Sequence, residues 1–491
     1  MGIRRPAIST AVAAALIGSF GVPIAAGTAS AQDGTATVRE DFDGDGYQDI
    51  AVAAPGAEVA GNAWAGYITI SYGSAHGIDP ARTTIITQDT PGVPGVAGDN
   101  QGFGYAMIAR DLDGDGLTDL AAVARDYRPE ENVSGSVIVL WGRETGISGE
   151  GAVRVGATSN AQVGDGITAG DVDGDGHTDL FMRNGDEYDY HDVLYGPFGR
   201  DGAAAREQQV MVYSTDNSIN TTTAGDFNGD GIGDFATFYV YENHAEGGKL
   251  WLGSESGLST TPVRLNSASA TAVADFDQDG YDDLATRIFA NGDTESTDVD
   301  PGTVKIYYGS PSGPSQTRTQ TITQNTTGVP GTSETGDQFG AQLSAADVTG
   351  DGYPDLAVGV PGEAIETKTK AGAVVLLKGT KGGLTGTGAQ AFHQDTTGVA
   401  GVAESGDVFG GSVRLLDVTG DGKADLVAGA PGENLGTIVN GGAVWMLRGT
   451  SSGLTATGSV DMNPNDISAT VTKALFGENL SNGNGTNIVI P

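Results

Sequence analysis

The sequence predicts an all-β fold, a seven-bladed β-propeller, on three observations. A nine-residue acidic stretch recurs seven times along 491 residues. Each copy runs into a short apolar segment bounded by Gly and Pro, which reads as strand. No stretch of any length carries helical periodicity, and units repeating in one internal order mark an array rather than separate domains. Four strands per unit and seven units make a ring of blades, with the acidic loop between the first two strands of each.

In chain order, residues 1–31 read as a secretory signal peptide. Arg4 and Arg5 form a basic start, Ala11 to Phe20 an apolar core, and Ala29-Ser30-Ala31 a cleavage site before Gln32. A secreted, extracellular product cleaved after Ala31 is expected, with the propeller spanning 32–491. No later segment approaches the roughly 18 apolar residues of a membrane span, so no membrane insertion is expected. The chain has no Cys, although an exported protein is free to use disulfides. Its staples must be of another kind.

The acidic stretch supplies one. In its fullest form it reads Asp171-Val172-Asp173-Gly174-Asp175-Gly176-His177-Thr178-Asp179. Oxygen-bearing side chains fall at positions 1, 3, 5 and 9, and Gly at position 6 permits a sharp turn. A hard cation takes six to eight oxygens, and alternating carboxylates on a tight loop deliver them, so the cofactor expected is Ca²⁺, up to seven ions in a structural role. The copies start at 41, 111, 171, 226, 275, 347 and 417. The first three ligand sets are Asp41/Asp43/Asp45/Asp49, Asp111/Asp113/Asp115/Asp119 and Asp171/Asp173/Asp175/Asp179. The middle two are Asp226/Asn228/Asp230/Asp234 and Asp275/Asp277/Asp279/Asp283. The last two, Asp347/Thr349/Asp351/Asp355 and Asp417/Thr419/Asp421/Asp425, have one carboxylate fewer than the fullest sets and are expected to bind most weakly. Position 7 would give only its carbonyl, leaving its side chain free to vary. Solvated acidic turns are the plain alternative, and seven copies in one phase weigh against it. These are not EF-hands: position 12, where an EF-hand needs Glu, is Val52, Ala122, Met182, Thr237, Thr286, Val358 and Ala428.

Formal net charge is −38, and seven divalent ions would still leave a large negative surplus. That argues against nucleic acid, whose binding depends on cationic neutralisation of phosphates, and against an anionic membrane surface. Gly is 79 of 491 residues, roughly twice its usual share, as a chain full of tight turns requires.

Blade 7 shows the whole unit: Phe409-Gly410 to Leu416, the loop, Leu426 to Ala430, Gly442 to Leu447, then about Gly458 to Asn463. A 17-residue connector appears three times, at Gln88–Gly104, Gln324–Gly340 and Gln394–Gly410. At the C-terminus Phe476-Gly477-Glu478-Asn479-Leu480 repeats the entry strand with no loop after it. The segment 474–482 is expected to close the ring in blade 1, whose own entry, Thr35 to Glu40, is short.

Phe103-Gly104, Phe339-Gly340 and Phe409-Gly410 before the loops, with Gly359-Val360-Pro361 and Gly429-Ala430-Pro431 after them, resemble FG-GAP repeats. Over essentially all of 32–491 the chain resembles the N-terminal seven-bladed propeller of integrin α-subunits. It departs from them in carrying the loop in every blade, and blades 3 to 5 lack the FG and GAP signatures. The resemblance implies a partner on the face opposite the loops, where strands 2 and 3 are joined.

That face would carry Trp64, Tyr127, Tyr188, Tyr190, His191, Tyr241, Glu242 and His244. Aromatic faces beside acidic and amide groups suit sugars. Alternate Tyr residues packing between blades are the structural alternative, favoured for Tyr239. The reading is therefore a non-catalytic binding or adhesion module for a glycan or a cell-surface protein. A polysaccharide lyase or hydrolase using carboxylates such as Asp186, Glu187, Asp189 or Glu242, and an integrin-like protein scaffold, stand beside it. Gly449-Thr450-Ser451-Ser452-Gly453 spells a nucleophile elbow but occupies a recurring hairpin turn with no helix after it. No catalytic residue is assigned.

Overall fold

The computed structural model describes residues 40–128, 133–156, 166–183, 190–212, 217–241, 244–289 and 300–482. The signal peptide, most of the blade 1 entry strand, Asp186 to Asp189 and Glu242 lie outside these.

Seven four-stranded antiparallel sheets make up the ring. From the axis outward, blade 6 is Leu343–Ala346, Asp355–Val360, Ala373–Lys378 and Thr385–Phe392. The second strands read as unbroken apolar runs because both faces of each blade are covered. Along Asp355–Val360, Leu356, Val358 and Val360 join a core shared with blade 5 residues Val304 and Ile306. Ala357, pointing the other way, joins a core shared with blade 7 residues Leu426 and Ala428. Side chains alternate across a strand, so one run feeds two inter-blade cores. The outer strand Thr385–Phe392 has only one protected face and is accordingly half polar.

Blade 7 differs from expectation at its outer hairpin. Strands 3 and 4 run Ala443–Thr450 and Gly453–Met462, longer than the sequence suggested, and meet in a tight turn at Thr450 and Gly453. A register shift between Met446 and Arg448 lets the pairing continue past the point where apolar alternation stops.

Blade 1 takes its innermost strand from the other end of the chain. Asn479–Leu480 pairs antiparallel with Ile50–Ala54, Leu480 opposite Val52 and Asn479 opposite Ala53. Phe476 bridges Gly442 as Phe409 bridges Gly372, so the last segment repeats the blade entry in backbone detail. Inner-strand residues including Arg110, Thr168, Thr222, Thr271, Ser344 and Arg414 line a polar cavity of about 70 Å³.

Candidate metal centres

Each nine-residue loop folds by the same hydrogen bonds. The position 1 carboxylate accepts the amide N–H of the position 6 Gly through Oδ2, at 2.9 Å for Asp171 and Gly176. All seven copies do so, from Asp41 and Gly46 to Asp417 and Gly422. The position 5 Oδ1 accepts the position 7 N–H, again in all seven. Gly is needed at position 6 for its backbone alone: φ is 87° at Gly176, and a Cβ there would meet nothing within 4 Å.

The position 9 aspartates are the most constrained. Asp283 accepts Phe276 N–H at 2.9 Å through Oδ2 and Gly309 N–H at 2.8 Å through Oδ1. The pattern ties the loop to the end of strand 3 in every blade. In blade 7 Thr419 replaces the position 2 donor. Burial outweighs these donors and pushes Asp49, Asp179, Asp234 and Asp283 up to about 8, and Asp425 to about 6.

Position 7 side chains vary in identity, as expected, and they also pack between loops. At six of the seven junctions they seat on the position 4 Gly of the preceding loop. A Cβ on Gly44 would lie 2.7 Å from Leu117 Cδ2, and one on Gly420 would lie 2.8 Å from Tyr47 Cδ1 across the closure. Gly114 and His177, Gly174 and Ile232, Gly229 and Tyr281, and Gly350 and Lys423 repeat the seat. Backbone bonds run beside it, such as Gly233 N–H to Asp171 O at 2.7 Å. The loops are therefore linked to one another along one rim.

Four loops gather carboxylate oxygens within 4.8 Å of one another: Asp41/Asp43/Asp45, Asp111/Asp113/Asp115, Asp171/Asp173/Asp179 and Asp275/Asp277/Asp279. An arginine caps each of these four. Arg82 reaches Asp43 Oδ2 at 3.4 Å, and Arg200 pairs with Asp113 and with Asp115 Oδ2 at 2.7 Å. Arg206 reaches Asp173 Oδ2 at 2.7 Å; Arg318 pairs with Asp277 and with Asp279 Oδ2 at 2.5 Å. Each guanidinium also lies over a ring at the end of strand 3: Tyr72, Trp141, Tyr195 and Tyr308. The other three loops have Asn228, Thr349 or Thr419 at position 3, and among the described residues no arginine pairs with them. Guanidinium thus accompanies the extra carboxylate in every case. The arginines escaped sequence reading because they stand at no fixed spacing from the loop, and Arg200 comes from the next blade.

Those three loops differ from blades 1, 2 and 5 at position 5. Position 5 is exposed in all seven loops, but Asp230, Asp351 and Asp421 join no group of converging carboxylates. At position 3 of these loops Asn228, Thr349 or Thr419 stands in place of a carboxylate. Asn228 Nδ2 donates to Asp230 Oδ2 at 2.9 Å, and Asp230 Oδ1 accepts Ile232 N–H at 3.0 Å, so both oxygens are occupied within the turn. Thr349 Oγ1 donates to Asp347 Oδ1 at 3.4 Å, while Asp351 Oδ1 accepts only Tyr353 N–H at 3.0 Å. Asp421 Oδ1 accepts Lys423 N–H at 3.0 Å, with the Lys423 ammonium 3.6 Å from the same oxygen. Position 5 shapes the turn in these copies as it does in all seven. Asp175 of blade 3 is exposed too and stands outside its group, where Asp179 takes its place.

In the four gathered loops the donor set fits a hard cation. Asp277 is almost fully buried, its Oδ2 faces Arg318, and its Oδ1 has no hydrogen-bond partner; Asp173 Oδ1 is alike. Buried carboxylate oxygens without donors are costly, and an ion held among the converging aspartates would satisfy them.

The residues expected on the opposite face are less gathered. Trp64 is 46% exposed and held at φ 57°; Tyr190 is half-buried and His244 exposed. Tyr127 and Tyr241 lie at the ends of second strands in blades 2 and 4, while Tyr188 and Glu242 fall outside the described residues. His191 must be corrected. It is fully buried, edge-on to Phe235 with ring centroids 5.4 Å apart, because alternation along Tyr190–Tyr195 turns it into the interface between blades 3 and 4. Tyr239 is likewise core. None of these residues lines the central cavity.

Residues 34–71, 339–377 and 409–447 match the FG-GAP repeat, and residues 111–182 match the FG-GAP-like repeat. The chain is 28% identical over 205 residues to the phosphatidylinositol-glycan-specific phospholipase D of Rattus norvegicus, covering 40% of this chain and 23% of the relative. It is 28% identical over 237 residues to integrin alpha pat-2 of Caenorhabditis briggsae, covering 44% of this chain and 18% of that one. The matched part thus spans less than a quarter of either relative's length. The Dos1 propeller aligns over 80% of this chain and 76% of its own, with 11% identity and a TM-score of 0.39. Among the described residues no helix is long and apolar enough to cross a membrane.

Proposed function

We propose that this seven-bladed propeller with FG-GAP repeats is a secreted, calcium-stabilised binding module for a glycan or a cell-surface protein, without catalysis of its own. The observation that carries the reading is the division of labour between the two faces. On one rim, seven loops share one hydrogen-bond scheme, six of their seven junctions pack side chain on glycine, and four loops present convergent carboxylates. Calcium there would neutralise carboxylates that otherwise repel one another, and stabilise the ring by binding only its folded form. The ligands in this reading are the converging aspartates of blades 1, 2, 3 and 5. The loops of blades 4, 6 and 7 would bind more weakly, with Asp230, Asp351 and Asp421 drawn in only if an ion turns them inward. The opposite face carries none of these nine-residue loops and displays Trp64 of blade 1 and His244 of blade 4, with a half-buried Tyr190 in blade 3. Matches to integrin α-subunits favour a binding role.

A hydrolase is the second reading, favoured by the similarity to phosphatidylinositol-glycan-specific phospholipase D. The test is incubation of the purified protein in calcium with immobilised polysaccharides and with a phosphatidylinositol-glycan substrate, scoring retention and released product together. Retention without product is expected. Product release overturns the binding reading, and neither outcome with either ligand class leaves a protein partner as the target.

A further inference from the structure

The inner strands of blades 2 to 7 meet the axis at one level. Ile108, Thr168, Thr223, Ala272, Ser344 and Arg414 each stand three residues before an acidic loop, and all of them line the cavity of about 70 Å³. That space exceeds the roughly 10–15 Å³ that a single water needs and admits a compact tetrahedral ion.

Its charge runs against that of the chain. Acidic residues number 63 against 25 Lys and Arg, yet the charged residues of the described lining are Arg110 and Arg414, with no carboxylate among them. The inner-strand pattern calls for neither. Arg110 directly precedes its loop, where other blades have Gly170, Gly225, Ala274 and Ala346, and Arg414 takes the place of Ala272 and Ser344.

The closing segment holds both guanidiniums in place. Arg110 Nη1 donates to Asn482 Oδ1 at 2.8 Å, and Asn482 Nδ2 donates to Glu40 Oε1 at 2.6 Å. Arg414 gives Nε and Nη2 to the same Glu40 oxygen, and its Nη1 has no protein partner among the described residues. Hydroxyls from blades 3 to 6 complete the polar wall. Thr168 and Thr223 are buried and Thr271 half-buried, and their hydroxyls bond to no protein group among the described residues. Ser344 Oγ accepts Leu415 N–H at 2.9 Å, which leaves its own hydrogen to donate.

Donors converge here with no anionic acceptor in the lining. We infer that the axial cavity binds one small oxyanion, of the phosphate or sulfate type, between the guanidiniums of Arg110 and Arg414 and the hydroxyls of Thr168, Thr223, Thr271 and Ser344. Guanidinium presents forked N–H donors that match a tetrahedral oxyanion, and hydroxyls donate without bringing charge of their own. A wall with two cations repels the divalent ions that the nine-residue loops attract, so the two kinds of site take ligands of opposite sign. Glu40 and Asn482 bring both ends of the described chain to this wall, and an ion bound here would couple ring closure to occupancy.

The test is calorimetric titration of the calcium-loaded full chain with inorganic sulfate, in chloride buffer of matched ionic strength. One sulfate per chain is expected. The variant Thr168→Val/Thr223→Val keeps the shape and removes two donors; it is expected to weaken binding by roughly tenfold or more per hydroxyl, with an unchanged melt in chloride. Arg110→Met is expected to abolish binding. A titration without saturable heat leaves the cavity to water and overturns the inference. So does saturable binding that these variants leave intact, or that Asp277→Ala removes in their place, since the anion then sits elsewhere or on the metal rim. Should the double variant misfold, Thr271→Val alone is expected to weaken sulfate binding about tenfold, and an unaltered titration refutes the site just as firmly.

Discussion

Glu40 and Arg414, 374 positions apart in the chain, form a buried ion pair where the ring closes, with Arg414 Nε donating to Glu40 Oε1 at 2.9 Å. Ser481 Oγ and Asn482 Nδ2 donate to the same carboxylate at 2.6 Å each. The first described residue, the last segment and blade 7 thus meet at one anion. Arg414→Leu strands that charge with only neutral donors, and removing one partner of a buried pair costs about 3–5 kcal/mol. Thermal melts should show the loss, with trypsin releasing the C-terminal segment early. An unaltered melt would show that closure rests on the strand pairing alone.

The four capping arginines compete with a divalent ion for the same outward oxygens. Arg318→Ala should raise the calcium affinity of the blade 5 loop, roughly threefold to tenfold given solvent screening of an exposed guanidinium. It should also lower the melting temperature in chelator, where Asp277 and Asp279 lose their counter-charge. Calorimetric titration decides it; weaker calcium binding would mean that the arginine positions the carboxylates instead.

Position 9 braces the loop whether or not an ion is present. In Asp283→Asn one amide N–H₂ faces a backbone N–H, at a cost of about 1–3 kcal/mol. The loss should appear in calcium and in chelator alike. Asp173→Ala, at position 3, should lower the melt chiefly in saturating calcium. If the two variants respond identically to chelator, the division between brace and ligand fails.

Two glycines of the blade 7 loop separate backbone strain from the inter-blade seat. Gly422→Ala meets open space at φ 82°, so it should cost about 1 kcal/mol. Gly420→Ala adds a clash with Tyr47 to its own φ of 66° and should cost clearly more. Equal denaturation midpoints would argue that the rim contacts contribute little.

Stability without metal should fall as pH rises. Asp49, Asp234 and Asp283 are raised from 3.8 to about 8, and Glu433 from 4.5 to about 7, so the folded chain holds protons that the unfolded chain has released. Between about pH 4 and pH 8 the native state binds more protons, and stability therefore declines across that window. Calcium competes with those protons and should reverse the slope. A chelator-treated melt that rises from pH 5 to pH 8 would contradict the assignment.

Much of this was legible in the sequence because it is local and repeated. The loop starting at Asp171 carries its turn, its spacing and its following strand within a dozen residues, and six more copies confirm the phase. The closing role of Phe476 to Leu480 was legible for the same reason: it copies an entry strand that has no loop of its own.

What the chain could not disclose depends on neighbours brought together by the ring, or on which way a side chain turns. Spacing alone makes Asp230, Asp351 and Asp421 equivalent to Asp45, Asp115 and Asp279, yet only the latter three converge with their neighbours. His191 reads as a surface aromatic beside Tyr190, yet alternation along its strand puts it against Phe235 of blade 4. Arg200 has no sequence relation to Asp113 and Asp115, and only the adjacency of blades 2 and 3 makes it their partner. Sequence by itself determined the unit, its count and the oxygen-rich loop, since these follow from turn chemistry and strand alternation over short spans. The tertiary structure alone decided which charges pair and which polar groups are buried, because electrostatics and desolvation act through space and each blade supplies half of its neighbour's environment.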